Sequence, residues 1–335
     1  MCRRTPLGRG ALFAVYQTVQ RASIPQNRRL SRGRIPLCYN AGMHDRTSQA
    51  LPTLPSREHD SHKGSFGRVL LVGGSRGMAG SISLSGMATL RSGAGLVTVA
   101  TPRCVQPTVA SFSPNYMTVA LWDDEIDGTL SARADEVVVE LASKVDVVAI
   151  GPGIGRASPA MYLVERLYQQ LPCPMVVDAD GLNALAELPK ALNRPAGPRI
   201  LTPHPGEYAR LMQTTAGTSD ASRVKAAVAM AERDPAGQTV VVLKGAGTVV
   251  ADSQQYAVNA TGNPGMATGG SGDVLTGIVA AMLAQGLEAW PAARLAVHVH
   301  GLAGDLAADK LGQVSLVASD LLDYLPAAFQ SLASE

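Results

Sequence analysis

Short runs of Val, Ile and Leu recur along this 335-residue chain without the polar alternation that marks a strand with one face in water. A strand that is apolar on both faces must be covered on both faces, as in a parallel sheet between two helical layers. Helical periodicity follows two of these runs, from Ser81 to Arg91 and from Pro159 to Gln170. The runs predicted as buried strands are 68–72, 95–100, 146–150, 175–178, 199–202 and 239–244.

The alternation of buried strands and helices predicts an α/β protein: a three-layer α/β/α domain with a mainly parallel central sheet. Two further strand patterns, 248–252 and 255–259, are separated by only two residues and predict an antiparallel hairpin. Because neither a repeat nor a linker interrupts the later part of the chain, residues 56–335 are predicted to form one domain, preceded by an extension at 1–55.

The charge of the chain is unevenly distributed. Residues 1–42 contain eight Arg, no Lys and no acidic residue, so the rest of the chain carries a net charge of about −6. An acidic body argues against a nucleic-acid surface. No apolar run reaches the roughly 18 to 20 residues of a membrane span, so no membrane partner and a cytoplasmic location are expected.

The extension at 1–55 allows three interpretations. Its Arg-rich, acid-poor composition is typical of an organelle transit peptide. Translation could instead begin at Met43, which would make the preceding residues a gene-prediction artefact. The segment could also be a disordered basic arm. In none of these interpretations does the extension carry the chemistry.

The polar, Gly-rich motifs share one position: each follows the carboxyl end of a predicted strand. In open parallel sheets this edge is where ligands bind, so the motifs are expected to converge on one cleft. The spacing of the first motif matches neither GxGxxG nor GxxxxGK[ST], which argues against those two phosphate-binding loops. The motifs are GGSRGMAG (73–80), GPGIG (151–155), DADGLN (178–183), TPHPGE (202–207) and LKGAGT (243–248).

The segment 259–273, NATGNPGMATGGSGD, contains five glycines and leads directly into an apolar helical run. Free N–H groups and the positive end of a helix dipole at Gly270, Ser271 and Gly272 would form an anion hole. Asp273 beside them could accept a proton from a bound hydroxyl, which together indicates phosphate chemistry on an alcohol. The alternative for Asp273 is a simple helix cap.

Single residues in the other motifs have candidate roles as well. Ser81 offers a hydroxyl at a helix start, and His204 is held rigidly between two prolines at a strand end. In DADGLN, Asp178 could be a cap at the end of the strand, while Asp180 and Asn183 could hold a magnesium-bound water or the ligand; capping is the alternative for the whole motif. Two histidines, His298 and His300, are predicted on opposite sides of a helix, so they are not a metal pair.

Taken in order, KGSFGRVLLVGGS, GPGIG, DADGLN, TPHPGE, LKGAGT and NPGMATGGSGD resemble the ADP-dependent NAD(P)H-hydrate dehydratases. The resemblance covers roughly residues 60–330 and implies a ribokinase-like fold. It implies that the substrate is the S epimer of NADHX or NADPHX, the hydrates of NADH and NADPH. ADP, with Mg²⁺ as cofactor, would phosphorylate the C6 hydroxyl, and loss of phosphate would restore the double bond.

The resemblance also implies roles for individual residues. Asp273 would be the catalytic base, with the anion hole at 270–272 stabilising the transferred phosphoryl group. The residues implied to bind the hydrate are Ser81, Gly153, Gly155, His204 and Asp273. Those implied to bind ADP and its product AMP are Lys244, Gly245, Ala246, Gly247, Thr248 and Gly272. Ser81 stands where relatives often carry Ala.

The resemblance further implies a homotetramer and a functional link to a separate NAD(P)HX epimerase, since the extension is too short for the epimerase domain that is sometimes fused N-terminally. Two other functions remain open at this point. A small-molecule kinase of the same fold, of the hydroxymethylpyrimidine or sugar kinase type, would share GGSGD but would release its phosphorylated product. A non-catalytic nucleotide-binding regulator would not need Asp273.

Overall fold

A single sheet of ten strands runs through the part of the chain that the computed structural model describes, residues 43–188 and 190–332. Along the sheet the strands lie in the order β1-β10-β9-β8-β7-β6-β5-β2-β3-β4. They are β1 His44–Asp45, β2 Arg68–Val72, β3 Leu96–Pro102, β4 Met117–Leu121, β5 Val147–Ile150, β6 Met175–Val177, β7 Arg199–Leu201, β8 Thr239–Leu243, β9 Val249–Ala251 and β10 Gln255–Val258.

Strand direction confirms the predicted mainly parallel sheet. Every pairing from β8 through β7, β6, β5, β2 and β3 to β4 is parallel. The exceptions are β9 with β8 and β9 with β10, which are both antiparallel; β9 and β10 form the predicted hairpin. All six runs predicted from Val, Ile and Leu content are strands, since a strand covered on both faces has no polar side to reveal.

Helices cover both faces of the sheet, so the predicted three-layer α/β/α fold is confirmed. Neighbouring residues of one strand enter opposite cores: Val69 and Leu71 pack with one helical layer, Leu70 and Val72 with the other. The helices are α1 Ala79–Arg91, α2 Gln106–Phe112, α3 Ala134–Ala142, α4 Ser158–Gln170, α5 Asp180–Glu187, α6 Pro205–Met212, α7 Asp220–Ala231, α8 Ser271–Ala284, α9 Ala289–Leu311 and α10 Ala318–Leu332.

The two helical layers have different compositions. Helices α1, α8, α9 and α10 supply the first core, which is rich in Ala and small residues. The second core is formed with α3, α4, α5, α6 and α7. Within the described residues no helix is long and apolar enough to cross a membrane.

Arg199, on β7, is fully buried. Its guanidinium donates hydrogen bonds to backbone carbonyls at and beyond the end of α4, including Tyr168 O at 2.8 Å, Leu171 O at 2.6 Å and Cys173 O at 3.1 Å. Burial lowers the pKa of Arg199 to about 10, so it remains charged at neutral pH. A cation on exposed helix carbonyls complements the negative end of the helix dipole.

Part of the segment predicted as an N-terminal extension packs on the domain. Residues 44–45 form β1 and pair with β10, and Arg294 donates hydrogen bonds to Arg46 O, Gln49 O and Ala50 O. A two-residue strand carries too little apolar periodicity to be recognised in a sequence. The interpretations of residues 1–42 lie outside the described residues, and the division of the chain at 55 remains a prediction for that part.

Candidate functional site

The predicted site residues gather at the carboxyl edge of the sheet, beyond β2, β5, β6, β7 and β8. The turns after these strands lead into α1, α5 and α6 and face the beginning of α8. Gly277 of α8 lies so close to α1 that a Cβ built on it would be 2.3 Å from Ser85 O. This close crossing brings the beginning of α1, with Ser81, beside the beginning of α8, with Asp273.

The anion hole predicted at 270–272 is the N-terminus of an α-helix. Gly270 is the N-cap of α8 with a φ of 92°, a conformation that favours glycine. Ser271 and Gly272 are the first two helical residues, so their N–H groups have no partner within the helix. The Ser271 N–H donates a long hydrogen bond, 3.4 Å, to Thr268 O in the preceding turn, whereas no such bond holds the Gly272 N–H among the described residues. The geometry therefore provides a donor at Gly272 and the positive dipole end that an anion needs.

Asp273 lies in the first turn of α8, near the Ser81 side chain at the beginning of α1. Its backbone carbonyl accepts a hydrogen bond, at 2.8 Å, from the Ser85 hydroxyl. Burial and the nearby charge of Asp178 raise the pKa of Asp273 to about 6, while Ser81 and Lys244 work in the opposite direction. A carboxylate with this pKa is a stronger base than an ordinary aspartate and is still ionised at neutral pH.

Lys244 stands at the end of β8, and its ammonium group points towards the beginning of α8 rather than into solvent. Its Nζ is 2.7 Å from Asp178 Oδ1, and a Cβ built on Gly272 would be 3.3 Å from that Nζ. Asp178 is buried, and its other oxygen accepts a hydrogen bond of 2.6 Å from Thr276. The ion pair thus holds a cation next to the anion hole.

The charges of this pair support each other. Burial works against the carboxylate of Asp178, but Lys244 and the hydroxyls of Thr276 and Thr202 outweigh it and hold the pKa of Asp178 below its usual range. Burial likewise opposes the charge of Lys244, yet Asp178, Glu207 and Asp273 raise its pKa. Both groups are therefore charged across the physiological range.

The TPHPGE motif forms a reciprocal cap at the beginning of α6. His204 Nδ1 accepts from Gly206 N at 2.9 Å and from Glu207 N at 3.3 Å, while Glu207 Oε2 accepts from His204 N at 2.8 Å. Because Nδ1 is an acceptor, the proton of the neutral ring is on Nε2. Burial and the charges of Lys244 and Arg210 lower the pKa of His204, which favours this neutral form.

Glu207 lies beside the Lys244–Asp178 pair. Its Oε2 is 3.8 Å from Lys244 Nζ, and its side chain is almost fully buried. Burial raises the pKa of Glu207 to about 7, with Asp178 contributing and Lys244 opposing. The edge of the sheet therefore carries two carboxylates with raised pKa values, Glu207 and Asp273, on either side of one lysine.

The GPGIG turn packs against the beginning of α1. A Cβ built on Gly153 would be 2.8 Å from Met78 Cβ and 3.2 Å from Ser81 Cβ, so only glycine fits between this turn and the helix. The N–H of Gly155 donates to Asp180 Oδ2 at 3.1 Å. Gly153 thus borders the space around Ser81, whereas the N–H of Gly155 already has a partner in the protein.

Asp180 and Asn183, the residues considered for Mg²⁺, form a network of hydrogen bonds. Asn183 donates through Nδ2 to Asp180 Oδ1 at 3.2 Å and accepts at Oδ1 from Arg210 Nε at 2.8 Å. The amide therefore turns its N–H groups, not its oxygen, towards the carboxylate. A cation therefore does not fit between these two side chains. The described residues contain no cluster of three or more His, Cys, Asp or Glu side chains that could hold a metal ion.

The segment predicted to bind the nucleotide, 244–248, is the loop between β8 and β9. Arg223 of α7 organises it by donating hydrogen bonds to Gly247 O at 2.9 Å, Leu243 O at 3.2 Å and Ala246 O. Thr248 Oγ1 donates to Gly245 O at 3.0 Å, which closes the turn. The loop conformation is therefore held by hydrogen bonds from Arg223 to the loop carbonyls.

The structure therefore brings together Ser81, Gly153, Lys244, Gly272 and Asp273, and places His204 on the same edge through its proximity to the Lys244 charge. Two residues of the site were not predicted in the roles that the structure gives them. Asp178, considered only as a cap, pairs with Lys244, and Arg223 holds the loop 244–248. Asp178 had a visible signal, a carboxylate at a strand end within DADGLN. Arg223 lies inside a helix with no motif around it, so no sequence signal marked it.

The sequence of the chain is similar to those of known proteins. Residues 69–327 match the family model described as NAD(P)H-hydrate dehydratase. The bifunctional NAD(P)H-hydrate repair enzyme Nnr of Moorella thermoacetica is 49% identical over 284 residues, which are 84% of this chain and 53% of that protein. The Nnr enzyme of Escherichia coli is 38% identical over 276 residues, 81% of this chain and 49% of that protein. The chain spans about half the length of the curated relatives it matches.

Solved structures give the same result for the fold. The ADP/ATP-dependent NAD(P)H-hydrate dehydratase of Bacillus subtilis, co-crystallised with ATP and Mg²⁺, has a TM-score of 0.68 and 31% identity, covering 83% of this chain and 94% of its own. A ribokinase-like superfamily protein of Enterococcus faecalis has a TM-score of 0.71 and 26% identity, covering 88% of this chain and 97% of its own. A hydroxyethylthiazole kinase of Pyrococcus horikoshii, at 18% identity and a TM-score of 0.50, shares the fold alone.

Proposed function

Because the chain belongs to the NAD(P)H-hydrate dehydratase family, we propose that it dehydrates the S epimer of NADHX and NADPHX with ADP as phosphoryl donor. One observation carries this proposal: Asp273, with a raised pKa, lies in the first turn of a helix whose N-terminus faces Lys244. A proton acceptor, a helix N-terminus and a cation therefore lie close together. Phosphoryl transfer to an alcohol requires these three groups.

The reaction has two steps. The C6 hydroxyl of the hydrate attacks the terminal phosphorus of ADP, AMP leaves with the electron pair of the broken P–O bond, and Asp273 accepts the hydroxyl proton. The C6–O bond then breaks, phosphate leaves, and loss of the C5 proton forms the double bond of NADH. The N–H groups of 270–272 and the charge of Lys244 stabilise the negative charge of the phosphoryl group during transfer.

Substrate and nucleotide lie on opposite sides of Asp273 in this proposal. Ser81, Gly153, Gly155 and His204 line the side of the hydrate, and His204 Nε2 lies 3.4 Å from Glu207 Oε1. The loop 244–248 and Gly272 line the side of the nucleotide. Mg²⁺, the predicted cofactor, would neutralise charge on the phosphates, with phosphate oxygens and water as its main ligands.

A kinase of the same fold is the alternative, and product analysis separates the two. The purified chain is mixed with S-NADHX, Mg²⁺ and either ADP or ATP, and absorbance at 340 nm is followed. We expect the reduced-nicotinamide band to return with ADP, together with one AMP and one phosphate per NADH. A phosphorylated hydrate that accumulates without NADH would establish a kinase, and recovery only with ATP would change the donor.

Asp273→Asn is the variant for the same assay. We expect turnover to fall by about 10² or more and nucleotide affinity to stay within a few-fold, because the amide keeps the shape but cannot accept the proton. Asp180→Asn, on the same edge but outside the proton path, is the matched control and should lose much less. Near wild-type turnover of Asp273→Asn would remove Asp273 from the role of base.

We further propose that the chain works as a homotetramer, in the cytoplasm, in functional partnership with an NAD(P)HX epimerase that supplies the S epimer. The names of the relatives, bifunctional repair enzymes, support the link to the epimerase. Light scattering after size-exclusion chromatography would give the oligomeric state directly.

A further inference from the structure

The segment His300–Asp305 of α9 lies directly beneath the Gly-rich loop 259–273. Its sequence is HGLAGD, and positions 300, 301, 304 and 305 fall on one side of the helix because they are spaced by one, three or four residues. All four contact the loop or the beginning of α8. From the sequence, His300 was predicted only not to form a metal-binding pair with His298.

His300 reaches the anion hole from behind. Its Nε2 is 2.9 Å from Ser271 O and 3.3 Å from Ser271 Oγ. A carbonyl oxygen only accepts, so Nε2 carries the ring proton and donates it to Ser271 O. Burial lowers the pKa of His300 to about 4, and Lys244 acts in the same direction, so the ring is neutral at working pH.

The rest of the segment holds the earlier part of the loop. Asp305 accepts hydrogen bonds from Gly262 N at 2.8 Å and from Asn263 Nδ2 at 2.9 Å. At Gly301 there is no room for a side chain, since a Cβ built there would be 2.3 Å from Thr261 Oγ1. The loop therefore contacts α9 near both of its ends, through Asp305 at Gly262 and Asn263 and through His300 at Ser271.

A hydrogen bond to Ser271 O has a specific consequence for Gly272. The Ser271 carbonyl and the Gly272 N–H belong to the same planar trans peptide and point in opposite directions. Ser271 and Gly272 are the first residues of α8, so the helix already orients this peptide. A hydrogen bond to the carbonyl restricts the direction of the N–H further, at the residue type with the most backbone freedom. Gly272 lies beside Lys244, where a Cβ built on it would be 3.3 Å from Nζ.

We infer that His300 is a positioning residue that aims the Gly272 N–H at the transferred phosphoryl group by holding the Ser271 carbonyl, with Asp305 anchoring the loop that precedes it. This inference rests on the proposed function. It adds a group that acts through the backbone of α8 rather than on the substrate or the nucleotide, and it gives a role to a neutral, half-buried histidine beneath the N-terminus of that helix.

The test compares His300→Gln with His300→Asn. The Gln amide nitrogen can occupy the position of Nε2 and donate to Ser271 O, whereas the shorter Asn side chain cannot reach it. We expect His300→Asn to lower kcat about 10- to 100-fold, less than the loss of a direct oxyanion donor, with KM for ADP within about threefold. His300→Gln should recover turnover to within about fivefold of wild type.

His298→Asn, on the same helix, serves as the control and should keep wild-type kcat. Equal kcat for the Gln and Asn variants of His300 would overturn the inference, and so would a loss confined to KM. If His300→Asn does not fold, His300→Gln against His300→Leu makes the same comparison, since Leu fills the space without a donor.

A second readout does not depend on dehydratase activity. Hydrogen exchange of a peptide spanning 268–276, measured with ADP present, should be about tenfold faster in His300→Asn than in His300→Gln. If wild type does not convert S-NADHX, the proposed function fails. If wild type is active but the peptide exchanges equally fast in His300→Asn and His300→Gln, the inference about His300 fails and the proposed function stands.

Discussion

At the scale of the residue, the site is built from charges that are buried with their partners. Lys244 is charged because Asp178 is 2.7 Å away, and Asp178 is charged because Lys244 and Thr276 surround it. Asp273 has no such cation within bonding distance in the structure, so burial dominates and raises its pKa to about 6. The distance to Lys244 thus accounts for the difference between the two pKa values: Asp178, paired with Lys244, has a lowered pKa, whereas Asp273 has a raised pKa and can accept a proton.

The pKa of Asp273 predicts how activity depends on pH. Below pH 6 the carboxylate is protonated and cannot accept the hydroxyl proton, so kcat/KM should fall on the acid side with an apparent pKa near 6. Initial rates at saturating ADP, measured between pH 5 and pH 8, give the acid limb of the profile of kcat/KM against pH. A limb near pH 4, the value of an ordinary aspartate, would contradict the assignment.

The same pKa has an effect of the opposite sign on stability. The folded chain holds the Asp273 proton more tightly than the unfolded chain, so the contribution of this group to stability is full below pH 4 and is lost as the pH rises through 6. Asp273→Asn should therefore be more stable than wild type at pH 8, by about 1 to 3 kcal/mol. Urea unfolding at pH 8 and pH 4 tests this, with the difference between the two proteins smaller at pH 4.

At the scale of the element, helix termini do most of the positioning. The N-terminus of α8 faces the site with the N–H of Gly272, and α6 is closed at its N-terminus by His204 and Glu207. The last carbonyls of α4 accept hydrogen bonds from a buried arginine, Arg199. At α4 and α6 the buried helix end thus has a partner within the protein, as buried polar groups require.

Arg199→Leu should lower the free energy of unfolding by about 3 to 5 kcal/mol, because several buried carbonyls lose their donor at once. Arg199→Lys should recover part of this loss, since one ammonium group can reach fewer carbonyls. Urea unfolding at pH 7 measures both. Arg156→Leu is the control: its pair with Glu187 at 3.4 Å is exposed, and its loss should cost less than about 1 kcal/mol. An Arg199→Leu variant as stable as the control would refute the role of Arg199 as a cap.

At the scale of the whole molecule, the family match and the candidate site belong to the same part of the chain. The family match covers 69–327, and every residue assigned to the candidate site lies within it. The segment 44–50 also packs on this domain, through β1 and through the three carbonyls bound by Arg294. We therefore expect the basic residues 1–42 to take no part in the proposed chemistry.

Removal of residues 1–42 should leave kcat within about twofold and should leave the unfolding temperature unchanged. Removal of residues 1–55 should also preserve the site but lower the unfolding temperature by a few degrees, because β10 loses its neighbour and Arg294 loses its acceptors. Turnover and thermal unfolding of the two truncated chains provide the comparison. A large loss of turnover in the first truncation would place part of the function in the basic segment.

The family and the fold were predictable because each depends on local information. Val- and Leu-rich runs identify strands covered on both faces, and TPHPGE with NPGMATGGSGD identifies the family. The location of the site followed from the position of each motif after a strand, since parallel strands end at one edge. The strands β1 and β4 and the helix α2 were not predicted, since they are short or partly exposed and carry a weak periodicity.

What only the tertiary structure decided is the set of contacts between residues far apart in the sequence. Asp178 meets Lys244 across 66 positions, Ser85 meets the carbonyl of Asp273 across 188, and His300 meets Ser271 from a helix that no motif connected with it. The residue types and their local order determined that the chain has a helix with a Gly-rich N-terminus and an acid in its first turn. Which partner sets the charge of each group depends on burial and distance, and these exist only once the helices pack on the sheet.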